Sequence, residues 1–131
     1  MADGAFRAEF CIEWSLDVTE AMRRYWADPE ETTEQGAYGV AILLVRALTG
    51  LTVVERARKG MGFDWWLGSD DRLFQGKARL EVSGIRAGSL RRINSRVKAK
   101  IRQTEQSDTS GLPAYIVVVE FGTPRARVVR R

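Results

Sequence analysis

AYIVVVEF, residues Ala114 to Phe121, sets five aromatic or β-branched side chains in a row without polar alternation. Successive side chains of a strand point to opposite faces, so such a run is a strand covered on both sides. The chain around it has to supply two apolar layers.

Two helices are predicted to do so. Asp28-Pro29-Glu30-Glu31 is a start signal, with a cap residue, proline in the first turn and an acid three after the cap. The helix it opens reaches about Leu48 and stops at Gly50. Its middle, YGVAILLVRAL, is apolar nearly all round, which predicts a central helix packed against a sheet. Ser89 caps the other, where Leu90, Ile93, Val97 and Ile101 recur at three- and four-residue spacing. Arg91, Arg92, Arg96, Lys98, Lys100 and Arg102 fill the remaining positions and give it a basic outer face.

Between the helices lie three short β-like runs, LTVVERA, FDWWLG and ARLEVSGI, separated by the turn-forming KGMG and SDDRLFQGK. They predict an antiparallel meander. AYIVVVEF should sit beside the run carrying Glu81, with the Glu30 to Leu48 helix over one face.

The ends complete the order. Phe6, Ala8, Phe10, Ile12, Trp14 and Leu16 alternate with Arg7, Glu9, Cys11, Glu13, Ser15 and Asp17, predicting an N-terminal strand over residues 1–16 with one wet face. Asp17 or Thr19 caps a short helix to about Trp26. QSDTSGLP reads as a polar loop, and residues 123–131 as a loosely ordered basic tail. The expectation is one α/β (α+β) domain over residues 1–131, a mixed sheet flanked by helices in the order β-α-α-β-β-β-α-β.

Composition restricts the chemistry. The 131 residues contain no histidine and one cysteine, Cys11. That removes Ser-His-Asp and Cys-His catalysis, thiolate metal clusters and nearly every zinc site, and leaves hard cations bound by oxygen. A single cysteine and the absence of an apolar span or a basic-then-apolar start lead us to expect a cytoplasmic protein away from the membrane. Acids cluster before residue 35, whereas Arg and Lys dominate after Ile85. This asymmetry points to a polyanion partner held by Arg91, Arg92, Arg96, Lys98, Lys100, Arg125 and Arg127.

Strand parity then collects polar groups. Lys77, Arg79, Glu81 and Ser83 share one face of their run, and Asp64 lies in the neighbouring one. Two carboxylates on adjacent strands repel unless a cation lies between them or one holds a proton. Magnesium or manganese bound through Asp64, Glu81 and waters is the simplest resolution.

Helix, three-strand meander, helix and strand, with an acid in the first helix, Asp64 in the second strand and Glu81 late in the third, resemble the restriction-endonuclease-like PD-(D/E)xK superfamily over about Glu30 to Phe121. The resemblance implies a small magnesium-dependent nuclease. Asp64 and Glu81 would be the metal ligands and Glu34 the helix acid, with Glu31 its competitor. The family's motif lysine, which orients the attacking water, falls at Ser83. Lys77 or Arg79 on the same face, or Lys98 from the helix, would have to replace it.

The alternative is a catalytically empty domain of that fold, binding nucleic acid or protein and pairing through its first strand with a second copy. On that reading Asp64 is a surface acid near a turn, Glu81 a cross-strand partner of a cation, and Glu34 a first-turn acid favoured by the helix dipole. Nucleic acid, preferentially DNA, would be bound weakly and without sequence preference.

Overall fold

The computed structural model describes residues 7–69 and 76–131. Its elements follow from local signals. Thr19 accepts from the Met22 amide and opens α1, Glu20–Tyr25. Asp28 accepts from the Glu30 and Glu31 amides and opens α2, Pro29–Thr49, which ends at Gly50 in the left-handed region that glycine tolerates. Ser89 accepts from the Arg92 amide and opens α3, Leu90–Thr104.

Five strands form one sheet in sequence order: β1 Thr52–Arg56, β2 Trp65–Gly68, β3 Ala78–Ile85, β4 Ala114–Glu120 and β5 Arg125–Arg130. β1, β2 and β3 make the expected antiparallel meander, with a bulge between Val53 and Glu55. β3 and β4 run parallel, joined through α3, because parallel neighbours need a long crossover. β5 returns antiparallel to β4.

The interior position of β4 explains its unbroken apolar run. Val117 and Val119 pack with Leu80, Val82 and the Ala37, Tyr38, Ala41 and Val45 stripe of α2. Ala114, Ile116 and Val118 pack with Ile85 and the Ile93 and Val97 stripe of α3 on the other side. The layers touch closely at Gly84, where a β-carbon would lie 2.7 Å from the Thr33 carbonyl oxygen and 3.0 Å from the Ala37 β-carbon.

Three expectations are corrected. Residues 7–16 form no strand and are exposed; their alternation is present, but no sheet edge among the described residues pairs with them, and residues 1–6 lie outside the described residues. The basic tail is not loose, because Arg125 to Arg130 form β5 in continuous register with β4. The turn before it is tied by Glu120, which accepts from the Gly122 and Thr123 amides, the Thr123 hydroxyl and Arg125. Finally, α2 is covered on one face only and leaves Leu43 and Leu48 exposed. The 70–75 part of the expected turn before β3 lies outside the described residues.

Candidate active site

β3 is buried on both faces, so its polar residues need partners. Leu80 and Val82 face α2, while Arg79, Glu81 and Ser83 face α3 and each finds a different partner there. Arg79 binds the Thr104 and Leu112 carbonyls, the Ser107 hydroxyl and the Asp108 carboxylate. It anchors the 3₁₀ turn Glu105–Ser110 that follows α3. Its donors are therefore committed to that turn, which removes Arg79 from the role of catalytic cation. Ser83 accepts from Arg96 at 2.5 Å.

Glu81 meets Lys100 and Gln103. Lys100 Nζ lies 3.0 Å from Glu81 Oε2, and Gln103 Nε2 donates to the same oxygen at 2.6 Å. Lys100 is also 3.2 Å from the Gln103 side-chain oxygen, which fixes the trio. The other oxygen, Glu81 Oε1, is buried and has no hydrogen-bond partner when the carboxylate is ionised. Burial, then hydrogen bonding and repulsion from Asp64, push the Glu81 carboxyl up to about 8, against the pull of Lys100. The ion-pair distance alone would suggest an ordinary carboxylate. Burial next to a second acid outweighs a single ammonium group that is itself partly solvated.

Asp64, just before β2, is held by three elements. Its Oδ2 accepts from the Val82 amide at 2.9 Å, and its Oδ1 lies 3.4 Å from the Tyr38 hydroxyl and 4.0 Å from Arg56. The backbone supports this placement: the Asp64 amide donates to the Leu80 carbonyl, and its carbonyl accepts from Ala57. Gly62, at φ +83°, lets the preceding turn pass under α3, where a β-carbon would stand 2.3 Å from the Gln103 carbonyl oxygen.

Tyr38 carries the connection onward to α2. Its hydroxyl donates to Glu34 Oε1 at 3.0 Å and accepts from Arg56 at 3.4 Å. Burial, chiefly, pushes that hydroxyl up to about 12, so it remains a proton donor throughout the neutral range. Glu34, rather than Glu31 beside the helix cap, is thus the α2 acid linked to Asp64. Among the described residues no three acids converge as a ready-made metal cage. Asp64 and Glu81 adjoin, and Glu34 is joined to them through a phenol.

The cations flank this chain on two sides. A cleft of about 380 Å³ between the start of α2 and α3 is lined by Glu34, Ser83, Arg86, Arg92, Arg96 and Lys100. A second, of about 550 Å³, is bordered by Arg56, Arg58, Lys59, Asp64 and Gln103. Of the cations expected on α3, Arg91 and Lys98 point to solvent, whereas Arg96 and Lys100 turn inward. Arg125 is paired with Glu120 and Arg127 with the Asn94 side chain. Lys77 reaches Ser69, away from the acids.

Gln103, Tyr38 and Arg56 are site residues that the sequence patterns do not single out, and Lys100, expected as a phosphate contact, pairs with Glu81 instead. A signal for two of them is present: Arg92, Arg96, Lys100 and Gln103 recur at four, four and three residues, a stripe next to Ile93 and Val97. Lys98 lies off that stripe, which is why it cannot reach Glu81. No family model, curated protein or solved structure matches this chain.

Proposed function

We propose that this chain is a divalent-metal-dependent phosphodiester hydrolase acting on nucleic acid, with the restriction-endonuclease-like architecture its sequence resembles. The observation that carries the reading is the adjacency of Asp64 and Glu81 with Lys100 3.0 Å from the latter. The order α2, β1, β2, β3, α3, β4 agrees with it.

The residues fit a hard cation. Glu81 offers a buried oxygen without a partner beside a second carboxylate, and all available donors are oxygens. Magnesium or manganese held by Asp64 and Glu81 would polarise the scissile phosphate and lower the pKa of a bound water. Lys100 takes the place that the motif lysine leaves at Ser83. It stabilises the ionised form of Glu81 and sets a positive charge where the attacking water would be oriented. Tyr38 fixes Glu34 and keeps it within reach of the Asp64 side of the site. Arg92 and Arg96 on one side, with Arg58 and Lys59 on the other, supply phosphate contacts across the acids.

A second reading has its own support. The Lys100 ammonium and Gln103 already occupy one Glu81 oxygen, and no three-acid cage is present among the described residues, as in a nucleic-acid-binding domain without catalysis. Cleavage of plasmid and single-stranded DNA and RNA in millimolar magnesium or manganese separates the two. Hydrolysis by the wild type that is lost in Asp64→Asn, Glu81→Gln and Lys100→Ala supports the nuclease. Salt-sensitive binding without cleavage in any metal supports the silent domain.

A further inference from the structure

The segment before α1 has the pattern of a strand but joins no sheet among the described residues. From Phe10 to Val18 every second residue is apolar, and Phe10, Ile12, Trp14, Leu16 and Val18 are all exposed, Trp14 by 76% and Leu16 by 72%. α1 continues the anomaly, since none of its residues is buried and Met22, Tyr25 and Trp26 face solvent. Contiguous exposed apolar surface of this extent on a folded domain marks a contact surface.

The opposite face of the segment names the chemistry of its partner. Glu9, Glu13 and Asp17 recur every four residues on it. β5 is an outer strand whose far edge has no partner among the described residues, and it runs six residues without a bulge. By its register with β4, Arg125, Arg127 and Val129 lie on the α3 side, whereas Ala126 and Val128 lie on the α2 side with the apolar cluster. Arg127 bonds the Asn94 amide oxygen rather than an acid. A strand laid along β5 with its apolar face toward Val128 and α2 presents its acids to Arg125 and Arg127. The other outer strand, β1, suits less well: it is five residues long, bulged, and carries Glu55.

We propose that residues 8–18 of one copy add as a sixth strand to the β5 edge of a second copy, and that the exchange is reciprocal. The exposure of Arg7 to Thr19 shows that the segment does not occupy the β5 edge of its own chain. A second copy carries the same free, basic, unbulged edge, so one pairing satisfies both chains and closes as a two-fold dimer. The exposed parts of Phe10, Ile12, Trp14, Leu16 and Val18 on both segments, together with the surface they cover on the partner, bring the exchange into the ~1,200–2,000 Å² range of a stable interface. This assembly stands independently of the proposed hydrolysis.

Sedimentation equilibrium of the full chain tests it, with a charge-reversal cycle across the contact. The wild type should dimerise, Glu13→Arg and Arg127→Glu should each weaken the dimer by about tenfold or more, and the double variant should recover most of the loss. Both positions are exposed, so neither change threatens the fold. A wild type that stays monomeric to high micromolar concentration overturns the proposal. So does a dimer indifferent to both single reversals, or one whose double variant is no tighter than the singles.

Discussion

Glu81 matters most at the scale of one residue, because a buried carboxyl whose pKa is raised from 4.5 to about 8 couples folding to pH. Between these values the folded chain binds more protons than the unfolded one, so stability is fully present below about pH 4.5 and falls as pH rises toward 8. The ceiling on that loss is about 5 kcal/mol, since each pH unit between the two values is worth roughly 1.36 kcal/mol. Denaturant melts of the metal-free protein from pH 5 to pH 8.5 should show this decline, and Glu81→Gln should flatten it. A wild-type profile as flat as the variant's would mean that Glu81 is ionised in the folded state at every pH. Single residues are also where sequence and structure divide most sharply. Asp64, Glu81 and Glu34 are legible from parity and from family resemblance. Arg79 is not, because parity gives a face and not a partner: its guanidinium reaches a turn about 25 to 33 residues later in the chain.

At the scale of elements, the two helices are held to their jobs by close approaches that no periodicity announces. α2 brings Glu34 and Tyr38 over the acids only because Gly84 lets it settle onto β3. Gly84→Ala should push Thr33 and Ala37 outward and destabilise the fold by about 1–3 kcal/mol, the usual effect of overpacking. The same displacement should weaken any metal response more than the stability loss explains, since it separates Glu34 from Asp64. A variant with wild-type chemical stability would show that the layers yield without strain. Helix boundaries are legible because Thr19, Asp28, Ser89 and Gly50 act locally. The inward stripe of α3 is obscured by composition: Arg96 and Lys100 carry the same charge as the exposed Arg91 and Lys98, and only phase against Ile93 and Val97 separates them. The first run shows the complementary limit. Its period-two pattern is real, but a strand also needs an edge, and alternation cannot say whose.

For the whole molecule, charge distribution and the two clefts define how a polyanion would lie. Cations on both sides of the acids, Arg92 and Arg96 on one and Arg58 and Lys59 on the other, predict binding that weakens steeply with salt, because each neutralised phosphate releases counterions. Fluorescence anisotropy with a labelled oligonucleotide between about 50 and 200 mM salt should give a log–log slope corresponding to about four to six phosphates. Arg58→Glu with Lys59→Glu should reduce that slope by about two, whereas an unchanged slope would confine binding to the α3 side. The layered sheet itself is legible from AYIVVVEF, since a strand without alternation needs cover on both faces, and α2 and α3 provide it. The order of β5 is not, because RARVVRR gives charge more weight than its Val128 and Val129, which pack toward the two cores. Thermal melts with and without millimolar magnesium or manganese decide whether Asp64 and Glu81 hold one divalent ion, as proposed above. An ion bound only by the folded chain stabilises by mass action, by about 1.4 kcal/mol at roughly tenfold excess over its Kd, or a few degrees in Tm. Such a rise should appear in the wild type and disappear in both Asp64→Asn and Glu81→Gln. No shift with either metal, together with variants that melt above the wild type, would contradict it and mark the two acids as a repulsive pair relieved by a proton.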